Sequence, residues 1–305
     1  MIDYSKPPKF EKRNHHIVPQ FWQRHFRDAD QKLFKTSSGK IVVGSPKSTM
    51  SEDYMYLAFD DGWRPTDAVE DQLCQWESIA SELIAEILPP KKVLSDEEWS
   101  SLCIWIGIST SRHPNVLDKY KPTTVKFALE LATAHDFADY SAFRDHLTKK
   151  FGSSVSVEEY DLILTKSADE LLAEVEFIRD MSKYDPKLPQ TDALFANFTV
   201  AICVNGLDLT LIDTTPDQDF ILGNNPLPNT DLSRGFSVPL SRHVALIAQV
   251  PADPSNPTKT RRAATASDID NVNGEQARRS VRAIASSKAI LENWIGKLIP
   301  ESADV

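Results

Sequence analysis

Through the middle of this chain, apolar residues recur at intervals of three and four, the spacing of a helix with one buried face. Towards both ends, short apolar runs lie between turn-forming residues instead. Pro19 opens a short helix from Gln20 to Phe26, since the N–H that proline lacks has no partner in a first turn anyway. Lys32 to Thr36 and Ile41 to Val43, joined through Ser37-Ser38-Gly39-Lys40, predict a β-hairpin, and Tyr54 to Phe59 a further short strand. Asp67 with Glu70 starts the first long helix, in which Val69, Leu73, Trp76, Ala80, Leu83, Ile84 and Ile87 share a face, and Pro89-Pro90 ends it. Ser95 with Glu98 starts the next, lined by Trp99, Leu102, Cys103 and Ile106. One or two helices are expected over 115–151, closed by Gly152. Another follows Ser167 and Glu170 and carries Leu171, Val175, Ile178 and Met181.

Asp185-Pro186-Lys187-Leu188-Pro189 interrupts the pattern. Beyond it the sequence predicts a buried helix over 191–204 and strands from Leu207 to Ile212, Phe220 to Leu222 and Val244 to Val250. Pro251 to Pro257 reads as a surface loop, and 267–285 and 288–298 as amphipathic helices. The fold class that follows is mainly α with small β elements (α+β). A helical body carries an N-terminal hairpin and a few strands in the C-terminal third, with the two β regions pairing beside it. Residues 1–12 read as a flexible lead and 13–300 as a single domain, with a sub-boundary near 185–190.

Composition narrows the function classes. A 41% apolar and 26% charged chain of 305 residues is globular, and a net charge of -10 argues against wrapping duplex nucleic acid by charge alone. The first 35 residues are nonetheless locally basic: Lys6, Lys9, Lys12, Arg13, Arg24, Arg27, Lys32 and Lys35 outnumber Asp3, Glu11, Asp28 and Asp30. Such a patch suits a nucleic-acid partner. The 3 cysteines, Cys74, Cys103 and Cys203, have no CxxC spacing and fit a reducing compartment. The longest apolar stretch, Leu194 to Val204, is too short to span a bilayer, so a cytoplasmic location without membrane contact is expected.

The residues with chemistry to offer are few. His15 and His16 are neighbours whose side chains diverge on a regular helix or strand. An irregular turn, such as the one Val18-Pro19 favours, is needed for both to reach one target. A neutral imidazole there can bind a metal, act as a general base or cap a buried carbonyl. Arg24 and Arg27 share one side of the following helix and suit an anion clamp or a solvated face. Arg112 stands at a helix C-terminus, where a cation is favourable without any ligand. Asn224 and Asn225 end a strand at a polar turn before Pro226, either turn chemistry or a ligand contact. Asn273 could line a site or sit at an exposed helix start. Glu77 reads as a surface carboxylate. There is no glycine-rich phosphate loop, nucleophile elbow or paired-aspartate metal signature.

The segment Asn14-His15-His16-Ile17-Val18-Pro19-Gln20-Phe21-Trp22-Gln23-Arg24-His25-Phe26 resembles the HHxVPxFYLRxF opening of a bacterial family known as Domain of Unknown Function 4238. Glu77, Arg112-His113-Pro114 and Gly223-Asn224-Asn225-Pro226 resemble its later Glu, Arg-x-Pro and S/T-D-N-P motifs, so that the likeness spans 13–285. Trp22-Gln23 replaces Tyr-Leu, and Asn224 stands where the family has Asp, which takes a proton-carrying group out of that position. The resemblance implies no particular activity. From the residues, the expectation is a metal-dependent phosphodiester hydrolase, nuclease-like and of a toxin or phage-defence kind. In it His15 or His16 activates water, His16 binds a divalent metal and Arg24 steadies phosphate, while Arg112, Asn224, Asn225 and Asn273 hold substrate. The alternative is a non-catalytic binding or scaffold protein whose His-His turn is structural.

Overall fold

The computed structural model describes residues 14–53, 58–59, 65–90, 92–110, 112, 130–131, 133–151, 154–167, 170–171, 197–228 and 232–300. The chain divides into two compact units: Met1–Arg13, Asp53–Glu70 and Leu117–Gln190 form one, and Asn14–Glu52, Asp71–Val116 and Thr191–Val305 the other. The expected flexible lead and the break at 185–190 lie outside the described residues.

In chain order the strands and helices are β1 (Asn14–His16), α1 (Gln20–Arg24), β2 (Leu33–Ser37), β3 (Lys40–Gly44), β4 (Ser51–Asp53), β5 (Ala58–Phe59), β6 (Pro65–Thr66), α2 (Ala68–Ile87) and α3 (Asp96–Thr110). They continue with α4 (Tyr140–Phe151), α5 (Val157–Leu164), α6 (Asn197–Asn205), β7 (Asp208–Asp213), β8 (Leu222–Gly223), β9 (Phe236–Pro239), β10 (Val244–Gln249), β11 (Lys259–Ala263), α7 (Ala266–Arg279), β12 (Ala283–Ala285) and α8 (Lys288–Glu292).

In the first unit, α4 and α5 bury Phe143, Leu147 and Tyr160 together with Ala134 and Val155. Ser156 and Glu159 cap α5 reciprocally, a start signal in a stretch for which the sequence had predicted no helix.

The second unit holds two four-stranded sheets, ordered β11-β7-β10-β9 and β3-β2-β12-β8. In the first, β10 is antiparallel to β7 and β9, while β11 runs parallel to β7. The second is antiparallel throughout. Its hairpin turns on Ser38 and Gly39, both in left-handed backbone at φ 46° and 72°, as a two-residue loop between twisted strands requires. α3 packs on α6, and the Ser95–Glu98 start of α3 forms as expected, with bonds of 2.8 and 3.2 Å in the two directions.

This architecture corrects the mainly α expectation. The chain is a mixture of helix and sheet, and the strands the sequence hid have identifiable disguises. β9 is short and ends in proline, and β11, Lys-Thr-Arg-Arg-Ala, has no apolar alternation. β12, Ala-Ile-Ala, continues the helical-looking pattern of 267–285, yet α7 ends at Arg279 and the strand is buried along its length. It is β12 that joins the N-terminal hairpin to β8, so the two β regions do meet.

α7 bonds to both sheets. Asn273 Oδ1 accepts from Ile221 N at 2.9 Å and Asn273 Nδ2 donates to Asp219 O at 3.2 Å. One turn on, Gln276 Oε1 accepts from Gly223 N at 3.1 Å and its Nε2 donates to Pro226 O at 2.9 Å. Side-chain amides thus satisfy the strand edge that a fifth strand would otherwise cover. On another side of α7, Glu275 accepts from Ser237 N at 3.2 Å, and Arg279 donates to Ser237 O at 3.1 Å, which closes the edge of β9.

Candidate functional site

β1 carries the paired histidines and lies beside β4, with Ile17 N donating to Met50 O at 3.0 Å just past it. His15 has no exposed surface and His16 only 7%. His16 Nε2 lies 3.0 Å from Pro46 O. Burial holds the pKa of His16 below the ordinary 6.5, outweighing the Pro46 and Lys47 backbone groups and the Glu77 carboxylate that favour the proton. The ring is therefore neutral at physiological pH.

The main chain of the same residue meets a long-range partner. Arg112, just beyond α3, donates through Nη2 to His16 O at 2.8 Å and through Nη1 to Glu77 Oε1 at 2.6 Å. Its side chain is 1% exposed, that of Glu77 21%. From α1, Gln23 Nε2 donates to Val18 O at 2.7 Å and Thr49 O at 3.0 Å, and Trp22 Nε1 donates to Pro239 O at 3.1 Å. Phe21 and Trp22 pack on Trp105 with ring centroids 5.3 and 5.8 Å apart. These contacts make the segment from His16 to Gln23 a mount, fixed through the His16 carbonyl to Arg112 and Glu77 and through the Phe21 and Trp22 side chains to α3 and β9.

Asn224 and Asn225 serve another junction. Asn224 Oδ1 accepts from Val281 N at 3.1 Å and Arg282 N at 3.0 Å, pinning the chain as it leaves α7 for β12. Asn225 N donates to Ser280 Oγ at 3.1 Å, while its own Oδ1 is buried without a hydrogen bond. Asn273 is buried within α7 and bonded to the segment that leads into β8, so it is not an exposed helix start. His16 and Arg112 thus meet with Glu77, and Asn224 and Asn225 meet the chain at the end of α7, the helix that carries Asn273. No described hydrogen bond or ion pair joins a residue of one group to a residue of the other. Arg24 belongs to neither; it is exposed at the end of α1. Among the described residues, no group of three or more His, Cys, Asp or Glu side chains is placed to hold a metal ion. His113 and Pro114 lie outside the described residues.

One polar cluster went unread in the sequence. Asp219, on the segment that leads into β8, is buried, and its Oδ1 lies 3.3 Å from His243 Nδ1 while Ser286 Oγ donates to its Oδ2. Thr214 Oγ1 is 3.1 Å from the same Nδ1, and Arg242 Nη1 is 4.0 Å from Asp219 Oδ2. His243 is 31% exposed. Its pKa is lowered, first by burial and also by Arg242, against Asp219 and the Gln218 backbone, which raise it. Arg242 N donates to His25 O at 3.1 Å, which brings the end of α1 to this turn. The signal available was the polar triplet Ser241-Arg242-His243 between the apolar ends of β9 and β10.

A family model described as "Protein of unknown function (DUF4238)" matches residues 14–289. The chain belongs to this family. No curated protein and no solved structure matches it. Of the DUF4238-like motifs, the His-His segment, the Glu at position 77 and the Arg at position 112 come together in the one buried mount, and the Asn224-Asn225 turn holds the α7–β12 junction. No described helix is long and apolar enough to cross a membrane.

Proposed function

We propose that this DUF4238 protein acts on phosphodiesters, single-stranded nucleic acid above all, and that it engages them at the cationic end of α1 and not at the paired histidines. The observation that carries the reading is the 3.1 Å bond from Arg242 N to His25 O, which joins the segment bearing Arg24 and Arg27 to the turn bearing Arg242. Among the described residues, Arg24 and Arg27 have no carboxylate within ion-pair distance, and Arg242 has Asp219 alone, at 4.0 Å. Guanidinium groups without tight acidic partners are free to meet phosphate in forked pairs. On a chain of net charge -10 the attraction has to be local, and a single strand that can bend into a small site meets that condition better than a rigid duplex does.

In this reading the His-His segment is the support for the site. Its imidazoles are sealed and its carbonyl is held by Arg112, so α1 is presented in a fixed direction. The second reading, a non-catalytic scaffold, draws on the same burial of His15 and His16. Fluorescence anisotropy with labelled single-stranded RNA and DNA oligonucleotides separates the two. Binding that weakens steeply with salt and falls at least about tenfold in Arg24→Ala/Arg242→Ala supports the phosphodiester reading. No binding at low salt leaves the scaffold.

A further inference from the structure

Resting on that phosphodiester reading, we infer that His243 and Asp219 make the site hydrolytic: His243 is the general base, and Asp219 is the residue that positions it.

The geometry has the parts such a base needs. Nδ1 of His243 faces Asp219 Oδ1 at 3.3 Å and shares a hydrogen bond with Thr214 Oγ1 at 3.1 Å; with the proton of the neutral form on Nδ1, towards the carboxylate, Nε2 is left as the base. Nε2 then carries the lone pair, on a ring that is part exposed while its carboxylate partner is buried. Asp219 is itself held from three sides. Ser286 Oγ donates to its Oδ2, Asn273 Nδ2 donates to its main-chain oxygen at 3.2 Å, and Phe220 N, the next amide, donates to Arg242 O at 2.8 Å. The Ser286 bond holds the carboxylate itself, and the other two fix the main chain that carries it. A base oriented by a fixed carboxylate, beside cations that can neutralise a phosphate, is the minimum that ester hydrolysis asks of a protein.

The step balances without a redox partner. A water O–H bond breaks, its proton passes to His243 Nε2, and the oxygen forms a bond to phosphorus. The P–O bond to the leaving nucleoside breaks with its electron pair, and that oxygen takes a proton from solvent. The imidazolium then returns its proton to solvent. Products are a phosphate monoester and a free hydroxyl. Arg242 is placed to hold a non-bridging oxygen.

The test uses the full-length protein and fluorophore-quencher oligonucleotides of RNA and of DNA, with EDTA or with Mg2+ or Mn2+. Cleavage and anisotropy are measured on the same preparations. His243→Ala and His243→Asn are expected to bind within about threefold of wild type and to lose at least about a hundredfold in cleavage, the size of a general-base contribution. Asp219→Asn should keep binding and lose part of the rate. The acidic limb of its kcat/KM profile should move to lower pH, because the carboxylate that favours the imidazolium is gone, and a purely structural loss would not move that limb. Cleavage at the wild-type rate by both His243 variants, or tight binding by wild type with no cleavage under any condition, overturns the inference and leaves the cationic site standing. Absence of binding by wild type removes the phosphodiester reading itself.

Discussion

Arg112 donates a hydrogen bond to the main-chain oxygen of His16 at 2.8 Å, across 96 positions of sequence. A side chain that reads as a helix-terminal cation from its neighbours alone is the anchor of the N-terminal segment. Its other nitrogen meets Glu77 at 2.6 Å, so one guanidinium ties α2, the end of α3 and β1 together.

Removing that anchor should be expensive. Arg112→Met leaves the His16 carbonyl without this donor and Glu77 without its cation, and loss of one partner of a buried pair costs about 3 to 5 kcal/mol. Because Glu77 is partly exposed and water can reach it, the lower end of that range is expected. Adding Glu77→Gln to Arg112→Met should restore part of the loss by removing the stranded charge. Urea unfolding of the three proteins checks this, and single-variant losses under about 1 kcal/mol would mean the anchor is dispensable.

Stability should also fall in mild acid. The pKa values of His16, His25 and His243 are all held below 6.5 in the fold, with burial the first cause in each. An unfolded chain therefore takes up these protons before the folded one does, and the unfolding free energy rises with pH wherever that difference exists. The histidine contribution is complete above 6.5 and is lost as pH drops through the lowered folded values. Comparing urea midpoints at pH 7.5 and pH 5 should show the fall, and His16→Gln should make it shallower. An identical pH dependence in wild type and His16→Gln would mean that His16 is not one of the groups responsible.

Asn224 resembles the Asp of an S/T-D-N-P motif, and its surroundings suit an amide as well as an acid. Its Oδ1 accepts from two successive main-chain amides, Val281 N and Arg282 N. A carboxylate oxygen accepts the same two bonds, and such bonds favour the charged form. Asn224→Asp should therefore fold with a stability within about 1 kcal/mol of wild type, and Asn224→Ala should lose about 2 kcal/mol for two stranded donors. Thermal and urea unfolding report both. A large gain of cleavage in Asn224→Asp would restore the view of this turn as a reacting centre.

How far the sequence carried depended on whether a segment's own residues decide its structure. The hairpin was legible because Ser38-Gly39 accepts left-handed backbone between two short runs rich in apolar and β-branched residues. The Ser95–Glu98 and Ser167–Glu170 starts were legible because a capping box is complete within four residues, and both form. β11 and β12 were not, because what makes them strands is a partner elsewhere: β7 for Lys259–Ala263, and β2 and β8 for Ala283–Ala285. The chemistry divided the same way. His15 and His16 advertise themselves by adjacency, yet the contacts that fix His16 come from Pro46 and Arg112, far along the chain. Asp219 and His243, 24 positions apart, carry no shared spacing that a motif could record.

Gly223 offers a way to reach the proposed centre without touching it. A Cβ at this position would stand 2.0 Å from Ser280 Oγ, 2.8 Å from Ser280 Cβ and 3.1 Å from Gln276 O. Strand and helix are therefore in contact through glycine's missing side chain. Gly223→Ala has to push β8 away from α7 or displace Ser280, which accepts from Asn225 N. Overpacking of this kind costs about 1 to 3 kcal/mol, and the lost bond adds to it. The displacement also runs back along the chain to Asp219, whose carbonyl Asn273 holds from the same helix. Cleavage should accordingly fall by more than the folded fraction does, while oligonucleotide binding by the folded protein at Arg24 and Arg242 stays close to wild type. Ser280→Gly in the same chain removes the closest clashing atoms and should recover part of both the stability and the rate. If Gly223→Ala matches wild type in unfolding midpoint, the close approach of α7 and β8, and with it the fixed carboxylate at Asp219, is not the arrangement that operates in solution.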